Sequence, residues 1–220
     1  MITRAAVSAG GSVLAGATQA LAALRPATKP LHPAGEILTG RIHRHGSDPL
    51  AGVPWLDEPG EDEVLVRRSR AIGLPAALPD IHGLAIRVRT DDGDADLLLA
   101  STGWGRLTRF VLTVSRDPAG RPLTTLLPYR TPGGPVLIGA RAMGPDSYTL
   151  TWAVHGGPWQ TFGVLILSRR PAGEPDISFD PVRHQLAGLE QYPAVVRLRE
   201  PAYHRARASS GRAADGPPEP

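Results

Sequence analysis

Short runs in which apolar and polar residues alternate recur along the middle of the chain, separated by turns rich in Gly, Pro and Asp. The clearest run covers residues 83–90, where Leu84, Ile86 and Val88 alternate with small or charged residues. A period of two residues is typical of a β-strand that buries one face. The acidic, glycine-containing turn that follows predicts a hairpin into a strand at 96–100.

Eight strands of this kind are predicted. Their expected ranges are 37–44, 63–69, 83–90, 96–100, 106–114, 135–140, 147–154 and 162–168. Because the runs are closely spaced and no long amphipathic helix separates them, we expect an antiparallel sheet closed into a barrel, or a sandwich. The clearer helix signals lie at the two ends of the chain, at 12–24 and around Tyr203, so the fold is expected to be mainly β with terminal helices.

The length of 220 residues fits one domain. We expect an N-terminal helical segment at 1–28, a barrel domain at 29–207 and a disordered tail at 208–220. The first segment is too polar for a good signal peptide, and no apolar run approaches the ~20 residues of a membrane span. A cytoplasmic protein without a membrane partner is therefore expected.

Charge and cysteine content exclude several classes of function. The net charge of +3 is too weak to indicate nucleic-acid binding, and no basic motif interleaved with aromatic residues occurs. The chain contains no cysteine, which excludes disulfides, thiol nucleophiles and thiolate metal sites.

A basic segment near the C-terminus carries candidate chemistry. Arg199 precedes Tyr203 by four residues, and Arg205 and Arg207 follow it. Neighbouring guanidinium groups favour the ionised phenolate, and a tyrosine phenolate is one of the axial ligands of protein-bound haem. The alternative is a basic terminal helix whose tyrosine ring packs on the body of the protein. This segment alone leaves both interpretations open.

Two histidines form a second candidate. His43 and His45 are two residues apart on a predicted strand and therefore share a face. An H-x-H pair is a weak metal signal without a third ligand. The alternative is a solvated face of alternating histidine and arginine.

The order of the motifs resembles that of the haem-dependent catalase superfamily. The distal-histidine segment of that family, V-V-H-A-K-G, is similar to R-I-H-R-H-G at 41–46, which puts His43 at the distal histidine. Its strand V-R-F-S-T-V-A-G is similar to V-R-R-S-R-A-I-G at 66–73. The resemblance implies that Ser69 supports the distal histidine and that Arg67 pairs with a haem propionate.

Two further motifs of the family match with differences. Its D-x-R-G-F-A-V-K-F-Y-T is similar to residues 80–90, with His82 in place of arginine. Its D-L-V-G-N-N-T is similar to residues 96–102, where Ser101 stands in place of the distal asparagine.

The resemblance continues to the C-terminal region and covers about residues 32–207. The family's V-G-K-L-V-L-N-R-N-P and F-D-P are similar to 162–171 and 179–181. Its R-x-x-x-Y is similar to Arg199…Tyr203, which implies that Tyr203 is the ligand of the iron and that Arg199 keeps it ionised. Arg207 is a loose counterpart of a basic residue beyond the tyrosine.

The resemblance implies an eight-stranded antiparallel barrel, haem b as cofactor, and a peroxidase or weak catalase. The substrates would be hydrogen peroxide or an organic peroxide, with a small organic reductant. His43 would be the general base, and a homo-oligomer is compatible with this assignment. The long N-terminal arm, the wrapping segment and the helical end of the family are missing, which suits a peroxidase with an open pocket.

Two other functions remain open. One is a barrel of the same ancestry that binds a small ligand or a partner without haem. The other is a metal-dependent phosphoesterase, for which Asp80 and His82 form a D-x-H motif and Asp94 and His155 supply further fragments.

Overall fold

The computed structural model describes residues 35–73, 75, 77–91, 93–169, 177–197 and 199–200. Several predictions fall outside the described residues: the segment 1–28 with its helix at 12–24, the tail 208–220, Tyr203 and Arg207.

The described chain consists mainly of strands. In chain order they are β1 (Glu36–His45), β2 (Pro59–Arg70), β3 (His82–Thr90), β4 (Gly93–Ser101), β5 (Leu123–Thr124), β6 (Tyr129–Thr131), β7 (Gly134–Gly144), β8 (Ser147–Val154), β9 (Gln160–Arg169) and β10 (Glu190–Gln191). A one-turn helix, α1 (Pro54–Asp57), lies between β1 and β2, and a 3-10 turn occupies Thr108–Phe110. Residues 193–197 and 199–200 are also helical. None of the described helices is long and apolar enough to span a bilayer.

Eight strands close into a barrel. The neighbours run β7-β5-β4-β3-β2-β1-β9-β8, and β8 pairs back onto β7. All of these pairs are antiparallel. β6 and β10 extend from β7 outside the ring. The predicted eight-stranded antiparallel barrel is therefore confirmed, and the closure pairs the strand edges that an open sheet would leave exposed.

Seven of the predicted strands are observed with small changes at their ends, and the prediction for 106–114 is wrong. That segment forms a loop with the 3-10 turn, and its apolar residues Leu107, Val111 and Val114 are exposed. The eighth strand of the barrel is β5, which has only two residues and pairs with β4 and β7. A strand of two residues has no detectable alternation, so β5 could not be predicted. The predicted number of barrel strands is correct, although one of the predicted segments is not a strand.

The barrel interior is filled by the inward side chains of every long strand. They include Leu38, Ile42, Val64, Val66, Leu84, Ile86, Leu97, Leu99, Ile138, Leu150 and Leu165. The end at which β1 finishes is closed by α1, where the ring of Trp55 packs against Phe162 at 5.3 Å. Arg44 fixes this closed end by donating to Asp62 at 2.7 Å and to the carbonyl of Glu58 at 2.8 Å.

The opposite end, where β1 begins and β2 finishes, is called the open end. It is surrounded by Glu36, Arg68, Arg70, His82 and Tyr148, which line a cavity. The two ends therefore differ in chemistry, because one is sealed by aromatic packing and the other presents polar side chains around an indentation.

Candidate functional site

Small side chains form a flat surface on the outside of β2, β3 and β4 near the open end. This outer platform consists of two cross-strand rows, Ser69–Gly83–Ala100 and Arg67–Ala85–Leu98. These residues point outward because they alternate with buried neighbours such as Leu84 and Leu99. Each is partly buried.

Two close contacts shape the platform. A Cβ on Gly83 would lie 2.7 Å from the Ser69 hydroxyl oxygen, so only glycine fits there without displacing the serine. A Cβ on Gly35 would collide with the guanidinium of Arg67, which therefore lies directly against the start of β1. A guanidinium group can bind a carboxylate through two parallel hydrogen bonds.

His43 lies far from the platform. In the pairing of β1 with β2, His43 is opposite Glu61, whereas Glu36 is opposite Arg68 next to Ser69. The two ends of this ladder are separated by roughly 25 Å at the ordinary rise of a strand. The predicted contact between Ser69 and His43 is therefore wrong.

The surroundings of His43 are those of a solvated face. Its Nδ1 atom lies 2.8 Å from Glu61, and Arg41 lies within ion-pair distance of both Glu61 and Glu63. The side chain of His43 is 44% exposed, and ion pairs at such exposure contribute little to stability. Among the residues that the structure describes, no group of three His, Asp or Glu side chains is placed to hold a metal ion. The geometry thus favours the solvated interpretation of the H-x-H pair.

Ser101 points into the barrel and away from the platform. Its side chain is 1% exposed. The hydroxyl accepts a hydrogen bond from the backbone N–H of His82 at 3.1 Å and donates to the carbonyl of Thr113 at 2.6 Å. The structure therefore does not bring Ser101 together with Ser69. The Ser101 hydroxyl forms hydrogen bonds that link β4 to the backbone of His82 and Thr113.

The Ser101→Ala variant is expected to lower the free energy of unfolding by about 2 kcal/mol, because it leaves a buried donor and a buried acceptor without a partner. Urea unfolding measures this change, with the exposed Ser168→Ala on β9 as the matched control. A loss no larger than that of the control would contradict the structural role of Ser101.

Arg199 lies in the helical segment after β10. It borders a cavity of about 10 Å³ with Leu127, Tyr129 and Val195, and no described platform residue lines that cavity. The space is about the size of one water molecule. Tyr203 and Arg207 lie outside the described residues, so their predicted pairing with Arg199 and haem stays a prediction.

The fragments of the phosphoesterase alternative do not converge. Asp80 accepts hydrogen bonds from the backbone N–H groups of Ile72 and Gly73, and the ring of His82 bonds to a backbone carbonyl at 2.9 Å. Asp94 follows the far end of β3, roughly 25 Å along the strand from His82. A shared metal site would need these ligands at one point, so the geometry does not support this function.

A second histidine fits the distal motif and was missed. His32 precedes Gly35 by three residues, the same spacing as in V-V-H-A-K-G. Gly35 lies against Arg67 on the platform side of the barrel. His32 itself lies outside the described residues. The three-residue spacing between histidine and glycine is visible in the sequence at both positions. The choice between His32 and His43 depends on the strand register, which the sequence does not give.

Comparison with known proteins bears on the fold. The chain is similar to a solved structure described as "Structure of a bacterial catalase", with a TM-score of 0.58 and 13% sequence identity. The similarity covers 86% of this chain and 59% of that chain. No family model matches, and no curated protein matches. The fold is thus a catalase-like β-barrel.

Proposed function

We propose that this protein is a haem-dependent peroxidase with weak or no catalase activity, acting on hydrogen peroxide or an organic peroxide with a small organic reductant. The observation that carries the proposal is the outer platform, a flat row of small residues beside Arg67 on a catalase-like barrel.

The platform residues fit a planar ligand with carboxylate groups. Gly83, Ala85 and Ala100 have no side chain that would hold a ring system away from the sheet. Arg67 lies in the neighbouring row of the platform, and a guanidinium can bind a propionate through two parallel hydrogen bonds. Ser69 adds one hydroxyl group beside Gly83.

Two residues of this chain would hold haem. Arg67 would bind a propionate, and Tyr203 would bind the iron as a phenolate, a form that Arg199 would favour through its positive charge. When bound, haem would supply the redox chemistry.

The general base is assigned to His32 rather than to His43. Neutral imidazole takes a proton from one oxygen of the peroxide and returns it to the other oxygen, which is the leaving group. His32 is three residues along the chain from Gly35, which lies against Arg67, whereas His43 lies 2.8 Å from Glu61 at the closed end.

In the platform row Ser69–Gly83–Ala100, only Ser69 has a polar side chain. Ala100 and Leu98 have no hydrogen-bonding group, and Ser101 is turned inward. Peroxide would therefore be held by fewer donors, which supports a peroxidase more than an efficient dismutating catalase.

Haem reconstitution of the full-length protein tests the proposal. We expect a Soret band with one haem per chain in a pyridine haemochrome assay. Tyr203→Phe should change the high-spin ferric spectrum, whereas Tyr192→Phe, a tyrosine that packs beside Val195, should leave it unchanged. Absence of a Soret band after supplementation would refute haem binding.

A further inference from the structure

The cavity at the open end lies at the mouth of the barrel, and Ser69 and Gly83 line it as well as belonging to the outer platform. Its volume is about 300 Å³. The described residues that line it come from the mouth of the barrel: Glu36, Arg68, Ser69, Arg70, His82, Gly83, Leu84, Pro118, Leu123 and Tyr148. This volume is at the lower end of the range for small-molecule sites, about 300–1,000 Å³.

The base of the cavity is apolar. Leu84 and Leu123 are each 2% exposed, and both belong to the barrel core. An apolar cavity of about 150 Å³ is large enough to bind benzene. The cavity therefore has room for one aromatic ring against these leucines together with a polar substituent.

Tyr148 provides a hydrogen-bond donor at the mouth. Burial raises the pKa of its phenol, and the opposing effect of Arg68 does not reverse this, so the hydroxyl is neutral at pH 7. The guanidinium of Arg68 lies close enough to this phenol to oppose the shift, and it has no acceptor atom for the phenolic proton. The Tyr148 hydroxyl lines the cavity and can donate a hydrogen bond to a ligand acceptor there.

Arg68 provides a second donor beside the first. It forms ion pairs with Glu36 at 2.7 Å and with Asp146 at 3.2 Å. Both carboxylates are more than half exposed, at 56% and 59%. Ion pairs with such exposed groups are weak, so a ligand carboxylate can displace one of them from Arg68.

We propose that the open end of the barrel binds a small monocarboxylate with an apolar body. The body packs on Leu84 and Leu123, and the carboxylate accepts hydrogen bonds from the Tyr148 hydroxyl and the Arg68 guanidinium. These side chains point into the barrel, whereas the outer platform faces away from it, and Ser69 and Gly83 border both. Binding at the mouth does not require haem.

Benzoate is the probe for this site. In isothermal titration with the full-length chain, we expect saturable one-to-one binding, about ten-fold tighter than that of benzyl alcohol, because hydrogen bonds to a charged group are stronger than neutral ones. Tyr148→Phe should weaken benzoate binding about five-fold through the loss of one hydrogen bond. Tyr129→Phe, a buried tyrosine of β6 outside the cavity, is the matched control and should bind like the wild type.

Leu123→Trp fills the base of the cavity and should abolish benzoate binding. Arg68→Lys should weaken benzoate binding, and it replaces Tyr148→Phe as the test if that variant does not fold. Thermal unfolding of each variant confirms that it is folded. The proposal is overturned if the wild type shows no saturable binding at millimolar benzoate, or if the folded Tyr148→Phe, Leu123→Trp and Arg68→Lys variants bind benzoate as the wild type does. Equal affinity for benzyl alcohol would refute the carboxylate preference.

Discussion

Replacing His32 by alanine is expected to lower peroxide turnover of the haem-loaded protein by about 10²- to 10⁴-fold, the usual contribution of a positioned general acid–base group. The same replacement at His43 is expected to leave turnover unchanged. Steady-state oxidation of an organic donor with hydrogen peroxide measures both variants, after their Soret bands have shown equal haem content.

The difference between the two histidines rests on strand register. Arg67 lies against Gly35, and His32 is three residues from Gly35 along the chain. His43 is opposite Glu61 at the other end of the same ladder, where it already has a carboxylate partner. A base must reach the substrate proton directly or through one water, which a separation of roughly 25 Å from Ser69 prevents.

The matched pair makes the result decisive. Loss of turnover in His43→Ala with full turnover in His32→Ala would show that the reaction takes place at the closed end. Full turnover in both variants would show that neither histidine is the base. Loss of haem in His32→Ala would assign that residue to cofactor binding instead of proton transfer.

The alternation of apolar and polar residues was sufficient to predict most of the barrel. Leu84, Ile86 and Val88 are buried as the period of two requires. The run at 106–114 contains β-branched and aromatic residues, but it forms a loop because Arg109 and Phe110 are its buried anchors and the flanking apolar residues face solvent. Composition predicts the propensity of a segment, whereas its pairing partners decide its structure.

The candidate site was predicted in part. Arg67 and Ser69 have the same parity on one strand and do lie together on the outer platform. The same rule places Ser101 inward with Leu97 and Leu99, so its orientation was available from the sequence. The separation of His43 from Ser69 could not be predicted from the sequence, because it depends on which residues of β1 and β2 pair.

The open-end cavity could not be predicted from local patterns. Arg68 is on β2 and Tyr148 is on β8, two strands that are not neighbours in the sheet. They are brought to the same mouth through β1 and β9, which lie between them in the sheet. Such contacts require the complete topology.

Replacing Asp96 by alanine is expected to lower the free energy of unfolding by about 3–5 kcal/mol, because it leaves a buried guanidinium without its counter-ion. Both carboxylate oxygens of Asp96 accept hydrogen bonds from Arg87 at 2.7 Å. The same carboxylate accepts the backbone N–H of Asp180 at 2.6 Å and lies 2.9 Å from Nδ1 of His184. Asp96 thus ties the segment before β10 to the outside of β3 and β4.

The stability of this network should also depend on pH. Burial by itself raises the pKa of Asp96, but the hydrogen bonds from Arg87 and His184 outweigh it and hold the pKa below its ordinary value. A folded-state pKa below the unfolded one means that the unfolded chain binds more protons in acid. The stabilisation is therefore complete above the unfolded pKa of about 3.9 and is lost as the pH falls through the folded pKa.

Urea unfolding between pH 7 and pH 2 measures both effects. Asp94→Ala is the matched control, because Asp94 lies 3.4 Å from the same guanidinium but is 40% exposed, and its loss should cost less than about 1 kcal/mol. The Asp96→Ala variant should also lose part of the acid-dependent decrease in stability seen in the wild type. Equal destabilisation by the two replacements would mean that both carboxylates contribute equally to neutralising the charge of Arg87. It would contradict the larger contribution assigned to Asp96.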